Sequence, residues 1–87
     1  MQRLVMETLS RKQTLNYSPN PSTGLVNING TVIIDSVTVI NLLGQQLKTV
    51  LVNDENAVID ISDLSTGLYL FEVQSGSNIS TIRVVKK

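Results

Sequence analysis

Eighty-seven residues carrying seven Lys plus Arg against seven Asp plus Glu make one small, electrically balanced domain, with too little chain for two separately cored units. The balance argues against the basic footprint that nucleic acid or an anionic membrane requires. The absence of His and Cys removes His-based triads and shuttles, thiolate nucleophiles, zinc ribbons and disulfide frameworks. Eleven Val, eight Ile and eight Thr against a single Ala disfavour helices and suit pleated surfaces, so the class is all-β.

Residues 1–16 hold no apolar run longer than Leu4-Val5-Met6. A secretory leader needs roughly 7 to 15 apolar residues and a spanning helix roughly 20, so this segment is expected to be a flexible linker remnant, with the domain proper at 17–87. The boundary is marked by turn chemistry over Pro19-Asn20-Pro21-Ser22-Thr23-Gly24, where Pro fixes φ and Gly supplies positive φ. Pro19 and Pro21 are the only prolines, so every later backbone N–H is available to a ladder.

From Leu25 onward, apolar blocks of four to eight residues alternate with turn signals roughly ten residues apart, the spacing of a sandwich or barrel. Leu25 to Asn29 and Thr31 to Asp35 flank Asn29-Gly30, a pair suited to a type I′ hairpin. Ser36 to Asn41 follows, with Val37 and Val39 on one face. Leu42-Leu43-Gly44 turns the chain, Gly44 taking the left-handed position of a bulged loop. Gln46 to Val52 is a further strand in which Leu47 and Leu51 compete with Val50 and Val52 for the inner face.

Asn53-Asp54-Glu55-Asn56 reads as a surface turn. Ala57, Ile59 and Ile61 then alternate with Val58 and an outward Asp60, and Asp63 is placed to cap the turn before a tucked Leu64. Tyr69, Phe71 and Val73 share one face of the core strand. After a turn at Ser75-Gly76-Ser77-Asn78, Ile82 and Val84 face inward on a final strand, with Arg83, Val85, Lys86 and Lys87 presented outward.

The candidate chemistry is thin. Asp60, Asp63, Asp54 and Glu55 lack the alternating carboxylates, internal Gly and terminal Glu of a calcium loop, and read as solvated turn acids. Nine Ser have no His or evident base beside them, and five scattered glycines form no phosphate cradle. No enzyme, cofactor, metal, nucleic acid or small-molecule substrate is expected. Three aromatic residues in all leave a core of Val, Ile and Leu, which suits a thin two-layer sandwich.

Four segments in order carry a resemblance: Pro19-Asn20-Pro21-Ser22-Thr23-Gly24; Val37-Thr38-Val39-Ile40-Asn41-Leu42-Leu43-Gly44-Gln45; Ile59 to Tyr69, with Asp60, Leu64 and Gly67 inside it; and the closing Ile82-Arg83-Val84-Val85-Lys86-Lys87. Over residues 17–87 the chain resembles the C-terminal sorting domain of type IX secretion cargo, with Ser18 standing between Tyr17 and the Pro-Asn-Pro. The resemblance implies an immunoglobulin-like antiparallel β-sandwich of six or seven strands that performs no catalysis. It further implies an address that carries a larger cargo from the periplasm across the outer membrane by way of a translocon. A sortase would then remove the domain and leave the cargo at the surface or outside the cell.

Arg83, Val85, Lys86 and Lys87 are the expected recognition residues. Pro19, Asn20, Pro21, Gly24, Gly44, Asp60, Leu64, Gly67 and Tyr69 are the family motif. The open edges of such a sandwich also predict edge-strand self-association. The alternative reading, an adhesion or carbohydrate-binding sandwich appended to a secreted enzyme, calls for exposed rings for sugar stacking. This chain has no Trp and two Tyr.

Overall fold

The computed structural model describes residues 15–19 and 23–87, and within them every regular element is a strand. β1 is Leu15–Ser18, β2 Leu25–Ile40, β3 Gln46–Asp60, β4 Gly67–Ser75 and β5 Asn78–Lys86. All pairings are antiparallel. The sheet runs β1-β2-β4-β5, with β3 on the other flank of β2.

β2 organises the molecule. Its first part, Leu25 to Asn29, lies between β1 and the end of β3, whereas Ser36 to Ile40 lies between the start of β3 and β4. The β2–β3 register shifts between Asn29 and Ile34 and again before Ser36, and Asn53 in β3 sits at φ 54. Such bulges bend a strand and sharpen its twist. The bent sheet curls into an antiparallel, sandwich-like fold, and the two ends of β2 and β3 face each other across one core.

That core is built by alternation. Val26 and Ile28 of β2, with Ala57 and Ile59 of β3, supply one wall, and Ile61 continues it. Val37, Val39, Tyr69, Phe71, Val73, Ile82 and Val84 supply the other. Leu15, Tyr17, Val50, Val52 and Leu64 pack against its margin. Phe71 is fully buried and is the largest such side chain. The expected core residues on β2, β4 and β5 are therefore where the period-2 pattern places them.

Among the described residues the strand count is five, where six or seven were expected. Asn29-Gly30 is no hairpin, because the chain runs straight through it. Asn29 pairs with Asn16 on one side and Asn56 on the other, and Gly30 pairs with Leu15. Ladder partners on both flanks outweigh a local turn preference. Asn53 to Asn56, expected as a turn, lies inside β3, where the positive φ of Asn53 makes a bulge and no reversal. Three expected strands thus merge into β2 and two into β3. In β3 the inner set is Val50 and Val52, leaving Leu47 and Leu51 outside. The described part of the sheet includes Leu15 and Asn16, and residues 1–14 lie outside the described residues.

A candidate recognition surface at the terminal strand

β5 pairs only with β4 among the described strands, in continuous register from Ser75↔Asn78 to Gly67↔Lys86. Alternation sorts its side chains. Ile82 and Val84 enter the core, while Arg83, Val85 and Lys87 are exposed. Lys86, expected among the presented residues, continues the inner face and is only 8% exposed. Its neighbour across the ladder is Gly67, which has no side chain to compete for the space. The Lys86 stem is covered while its ammonium lies 3.4 Å from the Lys87 carbonyl, the usual way a long cation buries methylenes and keeps its charge near polar groups.

Two turns hold the strands that frame this surface. At the end of β2, the Asn41 carboxamide oxygen accepts the amides of Leu43 (2.9 Å) and Gln45 (3.0 Å), while its Nδ2 donates to the Gln45 side chain at 2.8 Å. The Gly44 amide donates to the Asn41 carbonyl at 3.0 Å, and Gly44 itself stands at φ 86, in the left-handed region expected of it. A side chain that satisfies two turn amides fixes the loop as firmly as backbone bonds would.

The β3–β4 connection is the second. The Ser62 amide donates to Asp60 Oδ1 at 2.9 Å and the Leu64 amide to the Ile61 carbonyl at 3.0 Å. The capping carboxylate is therefore Asp60, where Asp63 was expected, because Asp60 is the residue two positions before a free turn amide. Hydrogen bonds from Ser62, side chain first and then amide, hold the Asp60 carboxyl below its ordinary 3.8. Asp63 instead accepts Lys48 Nζ at 2.9 Å, and that bond lowers its pKa too. The same ammonium donates to the Asp60 carbonyl at 2.8 Å, so Lys48 straps the start of β3 to the loop after its end. Sequence reasoning missed Lys48; nothing marks an inward lysine in a strand whose register is ambiguous.

At the head of β4, the Tyr69 hydroxyl donates to the Ser65 carbonyl at 2.6 Å, as in the tyrosine corner of immunoglobulin-like sandwiches. Leu64 is half-buried beneath this loop, and the Ile61 amide donates to the Gly24 carbonyl at 2.8 Å, tying the loop to the start of β2. Gly24, Gly44, Asp60, Leu64, Gly67 and Tyr69 all stand in turns or near strand ends, and Pro19 follows β1 directly. Asn20 and Pro21 lie outside the described residues. Asp54 accepts the Asn56 amide at 3.0 Å, on its own bulge.

No helix among the described residues is long and apolar enough to cross a membrane. No curated protein matches the chain. A family model described as secretion system C-terminal sorting domain matches residues 16–87. That match spans β1 from Asn16 and all of β2 to β5, together with the turns that the motif residues build, and the chain belongs to the family of type IX secretion C-terminal sorting domains.

Proposed function

We propose that this chain is the address of a larger exported cargo, read by the type IX translocon through the outward face of β5 and afterwards cut away by a sortase. The observation that carries the reading is the alternation on β5. Ile82 and Val84 hold the strand by burial, which leaves Arg83, Val85 and Lys87 as an apolar-basic face for a receptor. Lys86 acts from the other side, keeping the end of the strand on Gly67. Leu15 pairs with Gly30, so a cut that spares the sheet falls before residue 15, and the upstream residues serve as the sortase's substrate segment. The route takes the cargo through the periplasm to the outer surface. Strand addition at the open edges of β3 or β5 gives the same machinery a second grip and gives two copies a way to associate.

The test fuses a periplasm-directed fluorescent reporter to residues 1–87 in a host that carries the machinery, beside the same fusion with Arg83→Ser, Val85→Ser and Lys87→Ser combined. These three changes keep every ladder pair of β5, whereas a truncation after residue 84 would remove those of Val85 and Lys86. The parent fusion should reach the surface and the triple variant should stay in the periplasm. Retention of the parent refutes the sorting role, and export of the triple variant refutes the β5 address.

A further inference from the structure

The outer face of the sheet carries an apolar patch that the core does not use. Ile40 is buried yet does not belong to the core cluster. Val39 beside it points inward, so Ile40 lies on the opposite face, paired laterally with Leu70, which pairs in turn with Arg83. The next rung is Leu68 with Val85, which is 42% exposed. Directly after Ile40 come Leu42, 66% exposed, and Leu43, 84% exposed, at the tip of the β2–β3 turn, with Leu47 outward at the start of β3. Leucines so exposed are ordinary when scattered and informative when they adjoin one another.

We propose that Leu42 and Leu43 form a fixed apolar knob that docks into a socket on a protein of the secretion machinery, together with the outer face of β5; the inference rests on the sorting role proposed above. Two observations select this occupant. The Asn41 carboxamide holds the amides of Leu43 and Gln45, so the knob is shaped before it binds, and a pre-formed knob suits a shaped protein pocket, where little ordering remains to be done on contact. A fluid lipid surface gains nothing from such shaping. The exposed cations Arg83 and Lys87 flank the patch, with Glu72 the one side-chain carboxylate among the described residues in the adjoining rungs of that face, so the partner's socket carries carboxylates along its β5 side. The knob supplies burial and the cations supply register.

The experiment uses the same reporter fusion with Leu42→Ser and Leu43→Ser combined, and with Leu51→Ser as the control. Leu51 is 77% exposed on the same face, far from the turn and opposite Ser36. The double variant should lose tenfold or more of the surface signal with an unchanged melting temperature, and Leu51→Ser should export as the parent does. Single variants test the charge: Leu43→Lys should retain more export than Leu43→Glu. Wild-type export from the double variant, an equal loss in Leu51→Ser, or the reverse charge order overturns the inference while leaving the sorting role standing. Retention of the unsubstituted fusion instead sinks the role beneath it. Flotation of the 87-residue chain with phosphatidylglycerol–phosphatidylcholine vesicles, abolished in the double variant, would assign the knob to lipid and overturn the protein socket.

Discussion

Asp35, at the bulge of β2, accepts the Gly76 amide at 2.7 Å, joining the bend in the longest strand to a hairpin 41 residues further along the chain. Gly76 sits at φ 60 as the first residue of a two-residue turn, the position that a type II′ hairpin reserves for glycine. The carboxylate locks the tip of the β4–β5 hairpin, and with it the far end of the recognition strand. Replacing Asp35 with Ala should speed hydrogen exchange of the Gly76 amide by about tenfold or more, since a bond to a charged acceptor is lost. The amides of Tyr69 and Phe71, at the other end of β4, should be unchanged. An unaltered Gly76 rate would mean that the hairpin needs no such tie.

Two aromatic residues of one strand should separate packing from hydrogen bonding. Phe71→Ala empties the centre of the core and should cost about 3 to 5 kcal/mol, enough to leave so small a domain partly unfolded in water. Tyr69→Phe keeps the ring and loses only the bond to Ser65, so about 1 kcal/mol is expected. Urea midpoints of the two variants check the ratio.

Gly44 has open space where a Cβ would stand, so Gly44→Ala meets no clash and isolates the backbone effect. At φ 86 an L-residue is strained by about 1 to 2 kcal/mol. A thermal melt measures this. Gly44→Asn should cost less than Gly44→Ala, since Asn tolerates left-handed backbone best among the side-chain-bearing residues.

Acid should loosen the β3–β4 connection. Asp60 and Asp63 both titrate below 3.8 when folded, so their contribution is complete above that value and is lost as pH falls through the lower folded values. Urea midpoints should hold from pH 7 to about pH 5 and decline below about pH 4. Asp63→Asn should flatten part of that decline, with little change at pH 7 because the Lys48–Asp63 pair is well solvated. A decline as steep in Asp63→Asn as in the parent would place the acid sensitivity elsewhere.

Strict alternation made β4 and β5 legible in advance. Tyr69-Leu70-Phe71-Glu72-Val73 and Ile82-Arg83-Val84 each have one apolar face that can be buried, so no register competes. The β2–β3 ribbon was harder for a physical reason. Asn and Gly signal positive φ, but positive φ serves a hairpin and a bulge equally, and only the flanking partners decide between them. Asn29-Gly30 has partners on both sides and stays in a strand. Asn53 uses its positive φ to bend β3 without reversing it. Lys48 and Lys86 defeated the reading for a related reason: each lies with its stem at the inner face and its ammonium at a carbonyl, an arrangement that polarity scales score as solvent. On the candidate site, the β5 pattern showed Arg83 and Val85 outward. The Leu42-Leu43 tip was seen only as a turn, because the exposure of a turn residue depends on the polar lock beneath it.

The pairing scheme also makes the outward face a composite of two separately paired regions. Among the described strands, β5 has one lateral neighbour, β4, and β4 has one besides β5, the second half of β2. β5 therefore rests on β4 alone and joins the rest of the sheet only when β4 docks on the second half of β2. A chain stalled with β2 and β3 zipped but β4 still loose would show Leu42 and Leu43 without Arg83, Val85 and Lys87 beside them. The full outward face exists only on a finished molecule, so a receptor that requires both parts gauges completion of folding in the act of binding.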